Sequence, residues 1–183
     1  GRTGEGNADA AQARGEGDER QRAGGGSGGG GGGGEAARPV RGACEHALAF
    51  VIAEPSLWLS LSRSQRDALS EGAFDSPGMR ALARVLAGVP EGATEAVVAR
   101  ALRSVEDDDA EADRTAMTMF IETSYQGDGA KLRADFDSAI IAAQATALER
   151  KASDTSLPLT VRITLQKDAK LLRARVRSAG SGG

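Results

Sequence analysis

The chain has 183 residues, 25 of them glycine, and 15 of those glycines fall within the first 34 positions. Those 34 residues contain no Leu, Ile, Val, Phe, Tyr or Trp, so they cannot bury enough apolar surface to offset the entropy of ordering them. The single cysteine, Cys44, excludes an internal disulfide framework and a cysteine zinc site, and no apolar run approaches the roughly 20 residues of a membrane helix. No segment has the charged start and apolar centre of a signal peptide, so a cytoplasmic protein is expected.

Residues 1–37 are predicted to be a disordered, Gly-rich linker that ends in a glycine run over 24–34 broken only by Ser27. A phosphate-binding loop would need Gly-Lys-Ser/Thr opening a helix after a strand, and neither element is present. The first residue is Gly rather than Met, which is read as the start of a fragment. The foldable part is 38–183, enough for one domain with one core. Its charge is uneven. Residues 38–130 carry 9 basic and 15 acidic side chains, net −6, and residues 131–183 carry 10 and 5, net +5. Such polarity bears on partners rather than on fold.

In chain order the foldable part reads as helical. Pro39 suits a first turn, and Cys44, Leu48, Val51 and Ile52 recur at helical spacing until Pro55 interrupts. Ser56 to Leu61 is a short apolar piece around Trp58. Ser76-Pro77 is a capping serine followed by proline at the first helical position. The helix it opens carries Met79, Leu82, Ala83 and Leu86 on one face, Arg80 and Arg84 opposite, and Gly88 near its stop. Thr94 can cap a helix with Val97, Val98 and Leu102. Asp107, Asp108, Asp109 and Glu111 open the next, which runs through Met117, Phe120 and Ile121 to the turn Gly127-Asp128-Gly129.

A long helix follows. Leu132, Phe136, Ile140, Ala143 and Ala147 fall within an arc of about 80° at roughly 100° per residue. Ile141, Ala145 and Leu148 lie on the opposite side. A helix apolar on two faces is either deeply buried or touches a second body. In the last segment Leu159, Val161, Ile163 and Leu165 alternate with polar residues, as in a strand. The longer stripe Val161, Leu165, Ala169, Leu172, Val176 has helical spacing, and helix is the favoured assignment because a lone strand would have no partner. The two matching stripes predict an antiparallel helical hairpin. Pairing Leu132, Phe136, Ile140 and Ala147 with Val161, Leu165, Leu172 and Val176 would leave Ile141, Ala145 and Leu148 facing outward. The expected architecture is all-α: a small helical bundle over 38–126, then a C-terminal helical hairpin over 128–178 that begins with the long helix.

Catalytic signals are weak. His46 is the only histidine, so histidine metal clusters are excluded, and it reads as a surface or partly buried residue. Cys44 reads as a buried thiol. The Asp107–109 run reads as negative charge at a helix start rather than as a magnesium pair. Trp58 and Phe74 read as core. Arg162, Lys167, Lys170, Arg173, Arg175 and Arg177 share their stretch with one acid, Asp168. A solvated face, an acidic protein partner and nucleic acid remain open for them, although no interleaved aromatics support base stacking.

Several segments together resemble the C-terminal helicase-binding region of bacterial DNA primase over residues 40–176. The resemblance rests on a helix running into Glu54-Pro55-Ser56-Leu57, and on Phe74-Asp75-Ser76-Pro77 with Arg80 and Leu82 opening the next helix. An acidic-then-apolar helix follows, then a long helix carrying Leu148-Glu149-Arg150-Lys151 and a final basic helix. The resemblance implies a helical bundle followed by a hairpin that docks on the N-terminal collar of the hexameric replicative helicase. It implies no catalytic residue and no cofactor in this fragment. Zinc and magnesium would belong to upstream domains of a parent that makes RNA primers. Partner-binding residues would be Ile141, Ala145, Leu148, Arg162, Lys170, Arg173 and Arg177, with little direct nucleic-acid binding and no membrane. The alternatives are the N-terminal domain of a replicative helicase, which has a related bundle, and a nucleic-acid-binding or regulatory helical module that uses the basic tail.

Overall fold

The computed structural model describes residues 42–180; the Gly-rich segment 1–37 lies outside the described residues. Among the described residues there are eight helices and no strand, as the all-α assignment expects. Their order is α1 (Ala43–Ala53), α2 (Ser56–Leu59), α3 (Arg63–Ser70), α4 (Pro77–Ala87), α5 (Glu95–Arg103), α6 (Asp108–Tyr125), α7 (Gly129–Ala152) and α8 (Leu159–Gly180).

The start signals act as their chemistry predicts. Ser76 Oγ accepts the Gly78 N–H at 3.2 Å with Pro77 in the first turn of α4, and Asp107 Oδ1 accepts the Ala110 N–H at 3.0 Å at the start of α6. Asp128 Oδ1 caps α7 through the Lys131 N–H at 2.9 Å. α6 stops where Gln126 (φ 38°) and Gly127 (φ 88°) turn left-handed. α3 has no counterpart in the sequence expectations: it is polar, with only Ala68 and Leu69 buried. Its start was nonetheless encoded, because the Gln65 side chain reaches back to accept the Ser62 N–H at 2.8 Å, half of a capping box.

α1 is the centre of the bundle. Ala47, Leu48, Ala49, Phe50 and Val51 are consecutive and all fully buried, which a helix achieves only when neighbours cover every side. α6 and α7 flank it, and α4 packs across α6. The core joins Phe50, Trp58, Leu69, Met79, Leu82, Leu86, Val98 and Phe136, with Phe50 in ring contact with Tyr125 and Phe136. Cys44, Trp58 and Phe74 lie inside it; burial pushes the Cys44 thiol pKa upward.

α4 crosses α6 at very close range. A Cβ placed on Gly78 would stand 2.5 Å from the backbone carbonyl of Asp109 and 2.6 Å from Asp113 Oδ2, so only glycine lets the chains approach. The buried Asp113 carboxylate accepts the Ser76 hydroxyl and, at 3.1 Å, the Met79 N–H. It thereby satisfies first-turn donors of α4 from another helix.

α8 is helical from Leu159, which resolves the strand-like alternation of residues 159–165 in favour of the longer stripe. It returns antiparallel along α7 and packs substantially on α7 alone. The side-chain pairing differs from the expected one. Phe136, Ile140 and Ala143 of α7 face the bundle core, not α8. The face that meets α8 is the other one, where Ala145 and Ala152 of α7 and Ala169 of α8 are buried outside that core. The physical reason is that α1 and α3 already occupy the larger apolar stripe of α7, leaving the alanine-rich face for α8.

Candidate interaction surface

The hairpin seam is built from small side chains and closed by polar ties. Arg173 donates through Nη2 to Glu149 Oε2 and to Thr146 Oγ1, both at 3.0 Å, and through Nε to Glu149 Oε1 at 3.3 Å. This fork holds the Glu149 carboxyl below its ordinary pKa and raises that of Arg173. Arg162 Nε donates to the Ala152 carbonyl at 2.9 Å, satisfying a C-terminal acceptor of α7.

These contacts divide the candidate residues. Ala145 does not face outward: it has 0% exposure and belongs to the seam. Ile141 and Leu148 are half-buried. Helical geometry places them between the seam and the side of α7 that touches α3, where Gln144 meets Ser64 and Lys151 pairs with Glu71 at 3.5 Å. Arg162 and Arg173 are half-buried and tied inward, whereas Lys170 and Arg177 are exposed.

The outer face of α8 carries a signal that the sequence expectations did not single out. Thr160, Ile163, Lys167, Lys170, Leu171, Ala174 and Ser178 are all exposed and share one stripe opposite α7. Ile163 keeps 42% and Leu171 63% of its surface in water. The strand-like alternation at 159–165 drew attention to Ile163 as part of a sheet pattern and hid its place on this helical face.

Elsewhere the chemistry is sparse. A cleft of about 450 Å³ between α1, α7 and α8 contains His46, Asp135 and Ser138. Asp135 accepts the Tyr125 hydroxyl at 2.9 Å, and burial lowers the His46 pKa, opposed by Asp135. His46 stacks on Phe50 at 4.9 Å with its buried Nε2 unpartnered. Among the described residues no three His, Cys, Asp or Glu side chains group as metal ligands, and no helix is long and apolar enough to cross a membrane.

No family model, curated protein or solved structure matches the chain.

Proposed function

We propose that this chain is a protein-docking domain whose contact face is the α7–α8 hairpin. One observation carries this. The last helix bears six bases against one acid, leans on a single neighbour, and exposes Ile163 and Leu171 beside Lys167 and Lys170. Apolar side chains ringed by charge on a preformed helix suit a protein interface. Half-buried Ile141 and Leu148 flank the same hairpin on α7.

The partner we propose is the collar of a hexameric replicative helicase, as the primase resemblance implies; the domain would recruit primer synthesis to the fork. A bundle followed by a hairpin is the arrangement that resemblance leads one to expect. Direct nucleic-acid binding is less favoured because the aromatics are withdrawn from the surface: Phe50, Phe74, Trp58, Tyr125 and Phe136 are buried and Phe120 is half-buried. None is available as a base-stacking platform.

The test is titration of the full chain with the replicative helicase of its source organism, with single-stranded and duplex DNA run in parallel. Micromolar or tighter helicase binding, weakened at least tenfold by Leu171→Asp with unchanged helicity, is the expected result. Sub-micromolar DNA binding at about 150 mM salt would replace this function with the nucleic-acid one.

A further inference from the structure

We infer that the outer face of α8 also binds a second copy of this chain, on the outer face of α6. This shares a surface with the docking proposal but does not rest on it, because two complementary helix faces support it independently. On α6, Glu111, Thr115, Met119 and Glu122 are all exposed and fall on one stripe, turned away from the buried Ala110, Asp113, Met117 and Ile121. Met119 keeps 60% of its surface exposed between the two glutamates. On α8, Lys167 and Lys170 lie beside Ile163 and Leu171.

The exposed stripe of α6 is acidic around Met119, and that of α8 is basic at its middle, where Lys167 and Lys170 lie between Ile163 and Leu171. None of the four charged residues forms an ion pair among the described residues. α6 and α8 are 18 and 22 residues long and already packed on their other sides, so pairing them costs little ordering entropy. Packed antiparallel, Met119 can rest on Leu171 while Glu122, about one turn away, meets Lys167 and Glu111 lies toward the C-terminal end of α8.

The two patches differ, so a single α6–α8 contact leaves one α6 and one α8 open, and association continues until the rotation between copies closes a reciprocal dimer or a ring. One helix pair buries less than the ~1,200 Å² of a standard interface, which makes the association weak and salt-sensitive. A partner that covers α8 would dissolve it.

The experiment uses the full chain, with sedimentation equilibrium between about 10 and 500 μM at about 50 mM and 500 mM salt. The weight-average mass should rise with concentration above that of the monomer at low salt and return to the monomer's 18.7 kDa at high salt. Two charge-reversed chains, K167E/K170E and E111K/E122K, should each stay monomeric with wild-type helical circular dichroism. Mixing them should restore association, since each then offers the other an opposite face. A wild-type chain that remains monomeric throughout overturns the proposal, as does a mass that saturates at a salt-insensitive dimer. If a variant loses helicity, the wild-type concentration and salt series still decides. Helicase binding is scored separately, so failure of either idea leaves the other standing.

Discussion

Gly78→Ala sets two effects of opposite sign against each other. Gly78 is the second residue of α4 and has no positive φ, so propensity alone favours alanine by up to about 1 kcal/mol. The structure reverses that sign. The new methyl would lie 2.5 Å from the carbon and oxygen of the Asp109 carbonyl, against a normal carbon contact of about 3.5–4.0 Å. Both are backbone atoms, so α4 and α6 must separate by about 1 Å to restore that contact. Overpacking of this kind costs about 1–3 kcal/mol. The methyl also stands 2.6 Å from Asp113 Oδ2, the acceptor of the Ser76 hydroxyl and the Met79 N–H. Weakening hydrogen bonds to a buried carboxylate adds about 1.5–3 kcal/mol. A net loss of about 2–4 kcal/mol remains after the propensity gain, worth about 10 °C in melting temperature for a domain of this size. Gly129→Ala is the control. Gly129 also opens a helix, is exposed, and has no atom within 4 Å of where a Cβ would stand; the substitution should gain a few tenths of a kcal/mol. Urea unfolding of both variants checks the pair. A Gly78→Ala chain as stable as wild type would refute the close approach of α4 and α6.

Three further outcomes are expected. Ala145→Asp places a carboxylate in the hairpin seam, where Ala145 has no exposure; it should destabilise the domain by about 3 kcal/mol in thermal unfolding, whereas Leu171→Asp, on the open face, should shift it by less than about 0.5 kcal/mol. His46 has a folded pKa below its ordinary value of about 6.5 because burial disfavours the cation. Its contribution is full above that value and is lost as pH falls through the lowered folded pKa. His46→Phe should therefore flatten the decline in melting temperature as pH falls below about 6.5, and an unchanged profile would remove His46 as its source. The Arg173–Glu149 pair is about half exposed, so a double-mutant cycle with alanine should return a coupling of no more than about 1 kcal/mol. Because Glu149 is held below its ordinary pKa by Arg173, that coupling should persist above about pH 4.5 and fade as pH drops through the lowered value.

Elements whose ends are written in local chemistry were legible in the sequence. Ser76-Pro77, Asp107 and Gly127-Asp128-Gly129 mark boundaries because one side chain or one backbone conformation decides each. α3 is not legible as an apolar stripe, because it buries only Ala68 and Leu69. The partner of each α7 face was illegible for a different reason. Two stripes on one helix state that two bodies cover it, but the assignment depends on α1 and α3, which are far away in the chain. That misassignment put Ala145 outside. Arg162 and Arg173 carry the same charge as Lys170, and the positions of the Ala152 carbonyl and Glu149 show what ties them inward. The outer stripe of α8 could have been found by continuing the same helical count one face further round.

The alanine seam beneath α8 sets how readily that helix comes away. Its buried contribution is Ala169, with Leu165, Leu172 and Val176 only half covered, so lifting α8 uncovers far less apolar area than moving α1 would. Amide hydrogens of α8 should accordingly exchange through a local opening well below the free energy of global unfolding, while those of Leu48 to Val51 exchange only when the whole domain unfolds. Any body that closes over Ile163 and Leu171 must hold this opening shut. Slowed exchange in α8 alone, mapped amide by amide, would then locate a partner's footprint without a structure of the complex.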